Sequence, residues 1–211
     1  MNTNEPIKLH VSAYGPKSRA LTAKLGAGWL NFVGDVDTGV SAMSAMAQSW
    51  ADAGRSSEPL EATAFLLGCV LAEGEPLDSP RVMAQSGPRA AVLLHRAADV
   101  ALSGLPNTSA VPPSVADVVN AYVEFAQSFE PADAKYLENH RGHLMVLKPE
   151  ERQFVTPELI QSTTFTGTED DILTRFEALR AAGYTQLTVQ LTPGQEDAVE
   201  DWGRLFKRFN G

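Results

Sequence analysis

The sequence has a single cysteine, no excess of basic residues and no long apolar run. Cys69 lies inside an apolar segment and reads as a small buried hydrophobe rather than a reactive thiol; a reducing, cytoplasmic setting fits such cysteine usage. Lys and Arg number 17 against 26 Asp and Glu, a formal charge of −9. No basic cluster or aromatic-interleaved arginine stripe occurs, so nucleic acid and anionic membrane are argued against as partners and the acidic surface reads as solvated. The longest apolar run, Ala62 to Ala72, sits between Glu61 and Glu73 and is too short to span a bilayer. The opening MNTNEP has no charged n-region and no apolar h-region, so it is not a signal peptide. Internal repeats, a Walker A sequence and a Gly-x-Ser-x-Gly elbow are also missing.

What is present is a pattern that starts at once. The stretch from Ile7 to Gly34 reads IKLHVSAYGPKSRALTAKLGAGWLNFVG. Ile7, Leu9 and Val11 alternate with Lys8, His10 and Ser12, the period of a strand with two unlike faces. Gly15-Pro16 stops it, since proline fixes φ, lacks an N–H and suits the first turn of a helix. From Ser18 to Leu25, Ala20, Leu21 and Leu25 share a helical face; Gly26 and Gly28 end it, and Trp29 to Val33 forms a second strand. Strand, helix and strand in this short space predict a βαβ unit with parallel strands and a right-handed crossover.

The pattern continues along the 211 residues, enough for one domain with a substantial core. After a polar turn at Asp35 to Asp37, the residues Val40, Met43, Met46, Ala47 and Trp50 recur at helical steps, predicting an amphipathic helix to about Ala53. Gly54 to Pro59 is a loop, and Glu61 to Ala72 reads as a strand covered on both faces. Pro80 to Gly104 is helix-rich with a break at Gly87-Pro88, and Leu105 to Pro113 is a proline-bearing linker within the domain. Ser114 with Asp117 resembles a capping box, opening a helix whose buried stripe is Val115, Val118, Val119, Tyr122, Ala126 and Phe129. Arg141 to Leu147 reads as a short strand or an extended connection, and Thr156-Pro157-Glu158 caps a short helix. Thr168 with Asp171 opens another, with Ile172, Leu173, Phe176 and Leu179 facing inward and Gly183 terminating it. Thr185 to Leu191 alternates as a strand, Pro193-Gly194 turns the chain, and Ala198, Val199, Trp202, Leu205, Phe206 and Phe209 form the apolar stripe of a closing helix. Four strands, each followed by helix, predict a parallel α/β sheet, in a single domain over residues 1–211 with a helical insertion at 79–141. Four βα units are half of what closes an eightfold barrel.

Candidate chemistry is sparse. Gly26-Ala27-Gly28 opens like a dinucleotide fingerprint, but Asn31 stands where the third glycine belongs and the glycines precede a strand, so that reading is rejected. His140 and His143 lie three apart in HRGH; a metal needs a third ligand that nothing nearby clearly supplies, and no metal is expected. His10 and His95 read as structural histidines. Among Asp35, Asp37, Glu61, Asp133, Glu150 and Glu151 no pair shares a predicted face with an apolar surround, so the catalytic residues are unknown. There remains the Ser12-Ala13-Tyr14-Gly15-Pro16 turn, at the C-terminal end of a strand and the start of a helix. Backbone amides and the helix dipole converge there, Gly15 allows close approach, and such geometry binds phosphate. Gly34 ends the next strand on the same side of the sheet. Ser12, Ala13, Tyr14, Gly15 and Gly34 are the candidate cofactor-binding residues, against an ordinary tight βα turn.

At these residues the chain resembles a known family. HVSAYGPKSRALTAKLGAGW is similar to the segment of luciferase-like monooxygenases in which a strand ends in a Gly-Pro turn followed by an Ala- and Gly-rich helix. TTFTGTEDDILTRFEALRAAGYTQLTVQLTPG resembles that family's last βα unit. The likeness is strongest to deazaflavin-dependent reductases of the methylenetetrahydromethanopterin reductase type, which use coenzyme F-420. It implies part of a (β/α)8 TIM barrel with helices inserted after the seventh strand: Ile7–Ala13 as strand five, Trp29–Val33 as six, Glu61–Ala72 as seven and Thr185–Leu191 as eight. The phosphate end of F-420, or alternatively of FMN, would lie over Ser12, Ala13, Tyr14 and Gly15 with Gly34 nearby. The implied activity is a flavin- or deazaflavin-dependent oxidoreductase moving hydride to or from a small organic substrate. Ala27 departs from the acidic residue the family carries before the glycine found here as Gly28. Strands one to four are absent, so no catalytic residue is carried over. A homo-oligomer, or a partner chain supplying those strands, is implied; the alternative is a catalytically inactive half-barrel or partner subunit.

Overall fold

All four strand candidates form and pair in parallel, in chain order: β1 (His10–Ser12), β2 (Gly28–Phe32), β3 (Ala62–Leu66) and β4 (Gln186–Val189). The computed structural model describes residues 7–104 and 111–211; the MNTNEP opening and most of the Leu105 to Pro113 linker lie outside them. The chain divides into two compact units, one comprising the described residues up to Leu66 with Leu173–Gln190, the other Leu67–Ile172 with Leu191–Gly211. Among the described residues no helix is long and apolar enough to cross a membrane.

The first unit holds the sheet together with α1 (Pro16–Leu25), α2 (Val36–Asp52) and the later turns of α7 (Glu169–Ala182). Asp35 caps α2, its Oδ1 accepting from the Thr38 amide at 2.9 Å, and Met43, Met46 and Trp50 are buried as the helical spacing requires. The Asn31 Nδ2 donates to the Tyr184 hydroxyl (2.7 Å), which in turn donates to the Gly39 carbonyl (2.9 Å). That chain satisfies the buried polar atoms, and burial pushes the Tyr184 hydroxyl up to about 12.

Two expectations fail in this unit. The first strand starts at His10, not Ile7, and Ile7 and Leu9 are 92% and 57% exposed. As an edge strand β1 has β2 alone beside it among the described residues, and of the alternating apolar residues Val11 is half-buried while Ile7 and Leu9 are exposed. Helix α1 turns Leu21 and Leu25 outward at 51% and 53% exposure and buries Thr22 and Ala23 instead.

In the second unit the buried run of β3 continues past Leu66 but changes partner. Phe165 N–H donates to the Leu67 carbonyl (2.8 Å), Gly167 to Cys69 (3.2 Å) and Leu71 to Gly167 (2.8 Å). The strand expected to reach Ala72 thus ends at Leu66 in the sheet. A Cβ on Gly68 would lie 2.1 Å from the Phe165 carbonyl oxygen, so this crossing admits only glycine. Cys69 is fully buried, which pushes its thiol up to about 12.

Helix α3 (Pro80–Ser103) runs unbroken through Gly87-Pro88, where a break was expected. Proline deprives the Ala84 carbonyl of its helical donor, and the Thr192 hydroxyl replaces it at 3.1 Å. Gly87 leaves room for Leu147, whose Cδ2 lies 2.8 Å from where a Cβ would stand. Helix α4 (Ala116–Ala126) is entered through a 3-10 turn, Pro113–Val115, closed by Val115 N–H on the Pro112 carbonyl (3.0 Å). Val115 rather than Ser114 is its N-cap. The predicted stripe of Val115, Val119, Tyr122, Ala126 and Phe129 is buried, with Val118 half-buried. After α5 (Tyr136–Asn139), residues 141–145 are turns rather than a strand, with Gly142 and Leu144 at φ 72° and 62°. Thr156 caps α6 (Pro157–Thr163), its Oγ1 accepting from Leu159 N–H at 3.2 Å. Thr168 and Asp171 cap α7 reciprocally at 3.1 and 3.3 Å. Helix α8 (Ala198–Asn210) buries Ala198, Trp202 and Leu205 but leaves Val199 exposed.

Arg81 ties this unit together, donating to the Val70 carbonyl (2.9 Å), Glu75 (3.0 Å through Nε) and Asp201 (3.2 Å). Glu75 also accepts from Ala72 N–H and the Ser79 hydroxyl. The Arg81 guanidinium, against the opposing effect of burial, holds the Glu75 carboxyl down at about 2.

Two outcomes are expected. Gly68→Ala must separate two backbones and lower stability by about 3 kcal/mol, read as a drop in melting temperature with loss of Phe165 amide protection. Glu75→Gln should lower stability by about 1–2 kcal/mol near neutral pH. The Glu75 contribution is present in full above the ordinary carboxylate pKa of about 4.3 and fades as pH falls toward the folded-state value. The wild-type and variant stability curves should therefore converge in acid.

Candidate functional site

Parallel pairing puts the ends of β1 and β2 on one side of the sheet, Ser12 beside Leu30. Ser12 is exposed and Ala13 buried, its carbonyl accepting from the Trp29 indole at 2.8 Å. Tyr14 is exposed, and its carbonyl accepts from Arg19 Nη1. Gly15 is the N-cap of α1 in ordinary extended geometry (φ −92°). Its N–H already donates to Ser18 Oγ at 3.1 Å, and Pro16 has none to offer, so the amide cradle is narrower than the sequence suggests. A Cβ at Gly15 would meet only Ser18 Oγ, at 3.9 Å; the fold does not require glycine here. Gly34 is half-buried at the tip of β2, immediately before the capping Asp35. The structure adds Lys17, exposed in the first turn of α1, and Arg19, whose Nε is buried without a hydrogen-bond partner. An open groove of about 640 Å³ runs past Pro16, Ala20 and Lys24 and the end of α2, and includes none of the five predicted residues.

A second cluster lies in the other unit, where sequence reasoning saw only an isolated HRGH. Glu151 is fully buried. Its Oε1 accepts from His95 Nε2 (2.7 Å), the Tyr122 hydroxyl (2.7 Å) and Lys148 Nζ (2.8 Å). Burial by itself would raise this carboxyl, but those donors prevail and hold it at about 2. Burial and the adjacent Glu151 push the Tyr122 hydroxyl well above its usual range. Lys148, 1% exposed, also donates to the Glu138 carbonyl at 2.8 Å. Asn139 donates to the His95 carbonyl (2.9 Å) and Asp99 (2.7 Å), and His140 Nε2 lies 2.6 Å from Asp99 Oδ2. His143 Nδ1 stands 2.9 Å from His95 Nδ1 and 3.2 Å from His140 Nδ1. Burial, together with the two neighbouring imidazoles, lowers His143 to about 4.

The third imidazole near HRGH is therefore His95, from α3. One signal for it existed: Ala91, Leu94 and Ala98 mark the buried face of that helix, and His95 falls on it at helical spacing. Nothing in KPEER separates Lys148 and Glu151 from a solvated run. His10 lies on β1 against Gly28 and faces Glu61 at 3.6 Å.

No protein-family model matches the sequence, and no curated protein matches it. Solved structures do. The coenzyme F-420 dependent tetrahydromethanopterin reductase of Methanopyrus kandleri is similar over 96% of this chain and 51% of its own, at 19% identity and a TM-score of 0.56. An F-420-dependent secondary alcohol dehydrogenase, solved with an F-420–acetone adduct, is similar over 98% of this chain and 50% of its own, at 11% identity and a TM-score of 0.54. The chain spans about half the length of each. At these identities the likeness is one of fold: a four-stranded parallel α/β sheet with its helices, shared with half of each protein.

Proposed function

We propose that this chain is the strand-five-to-eight half of a luciferase-like barrel and takes part in deazaflavin-dependent hydride transfer, with helices 79–141 as the insertion after strand seven. Its own role is to hold the phosphate end of coenzyme F-420 over Ser12, Ala13, Tyr14 and Gly15, with Gly34 nearby. The supporting observation is the row of parallel strand ends in chain order, joined to a fold shared with two F-420-dependent proteins. The residues present fit an anionic group: Lys17 and Arg19 lie in the first turn of α1, at its positive end, with Arg19 Nη1 on the Tyr14 carbonyl. When bound, the deazaflavin supplies the hydride chemistry. Arg19 and Lys17 neutralise phosphate charge, the Ser12 hydroxyl offers a further hydrogen bond, and Gly15 leaves space for approach. The outer edge of β1, where Ile7 and Leu9 are exposed, takes up a second copy or a partner chain carrying strands one to four.

Titration of F-420 and, in parallel, FMN tests this, with fluorescence and absorbance as readouts, on the chain alone and with a partner carrying the four remaining βα units. F-420 is expected to bind. Gly15→Val should weaken it about tenfold or more, about 1.4 kcal/mol, while melting stays within about 2 °C of wild type. Binding of neither cofactor in either format, or an equal loss of stability and affinity in the variant, overturns the reading.

A further inference from the structure

We propose that His95, His140 and His143 form a three-imidazole binding site for a divalent transition metal ion, Zn²⁺ fitting best. The proposal concerns the second unit alone and stands or falls independently of F-420 binding.

Two of the ring nitrogens are already committed to carboxylates. Glu151 and Asp99 face the Nε2 atoms of His95 and His140 at 2.7 and 2.6 Å. An ionised carboxylate only accepts, so each Nε2 carries a hydrogen; in the neutral form, which is the form a metal ion binds, each ring then presents a bare Nδ1 lone pair. Both lone pairs point at His143 Nδ1, 2.9 and 3.2 Å away. That atom carries at most one hydrogen and can satisfy one of them directly. With all three rings neutral, at least one more acceptor than donor converges there, and a cation coordinated by all three takes up the lone pairs.

The dimensions agree. One ligand nitrogen from each ring lies within 4.8 Å of the others, and tetrahedral Zn²⁺ with bonds of about 2.0–2.1 Å sets its nitrogen ligands about 3.3 Å apart. His143 Nδ1 already stands near that spacing from the other two rings, at 2.9 and 3.2 Å. The outer partners match too: a metal-bound histidine ordinarily gives its other N–H to a carboxylate or carbonyl, which fixes the ring. Here Glu151 and Asp99 do so, and Asn139 and Lys148 hold those carboxylates in turn. Three neutral nitrogens leave a fourth position for water or an exogenous ligand. His140 and His143 are partly exposed, and a cavity of about 650 Å³ lined by Asp99, Leu102, Lys135, Tyr136 and His140 gives a route in from solvent.

The test uses the full chain without a histidine tag. Calorimetric titration with Zn²⁺ should give one site per chain with a Kd below about 1 μM, and Co²⁺ should show the intense ligand-field absorption of tetrahedral coordination. His143→Ala, on a partly exposed turn, should weaken binding at least about 100-fold, and Asp99→Asn about 10–100-fold, with folding checked by circular dichroism. A readout on the wild type alone follows the ring nitrogens by NMR: Zn²⁺ should shift His95, His140 and His143 and leave His10, the fourth histidine, unmoved. No binding tighter than about 1 μM, undiminished binding in a folded His143→Ala, or ring shifts confined to other residues would each overturn the assignment.

Discussion

The backbone of residues 62–70 imposes the main constraint. It is buried almost throughout, and a buried amide without a partner is costly enough that nearly every one finds another group. Up to Leu66 the partners are β2 and β4; from Leu67 they are residues 165–167. The second set can approach only because Gly68 has no side chain. The exchange explains why one apolar run in the sequence serves both compact units, and why the sheet strand is shorter than the run that encodes it.

Inside the second unit a carboxylate plays the comparable part. An unpaired buried charge costs several kcal/mol, and Glu151 avoids that with donors from His95, Tyr122 and Lys148. The consequence reaches beyond stability. By accepting a hydrogen from His95 Nε2, Glu151 decides which nitrogen is bare whenever that ring is neutral, and Asp99 does the same for His140. Two acidic residues outside the imidazole cluster thereby set its chemistry, and a proposed metal site follows from their positions more than from the spacing of HRGH.

Much of the fold was legible because it depends on local rules. The Gly15-Pro16 helix start, the capping pair Thr168 and Asp171, and the Met43, Met46, Trp50 stripe all state their structure within a turn or two of chain. The failures have distant causes. Pro88 does not break α3 because Thr192, remote in sequence, donates to the stranded Ala84 carbonyl. Leu21 and Leu25 lie outward while Thr22 and Ala23 are buried, so the packed face of α1 does not follow its own apolar content. For the candidate sites the division is the same. The strand-tip turn could be read from Ser12 to Pro16, but that Gly15 N–H is taken by Ser18 could not. His95 and Glu151 meet HRGH only through tertiary packing.

Magnitudes decide where an anion at the strand tips would be held. A helix terminus favours an exposed anion by about 0.3–1 kcal/mol, whereas a hydrogen bond to a charged group contributes about 1.5–3 kcal/mol. With the Gly15 amide engaged and Pro16 without one, the backbone share shrinks and the side chains dominate. Lys17 is a solvated point charge, but Arg19 has one nitrogen fixed on the Tyr14 carbonyl. A guanidinium already oriented loses less side-chain freedom on binding than a free lysine. In the proposed cofactor grip, then, the charged side chains of Lys17 and Arg19 outweigh the backbone, Gly15 supplies room, and the predicted backbone cradle is the lesser contributor.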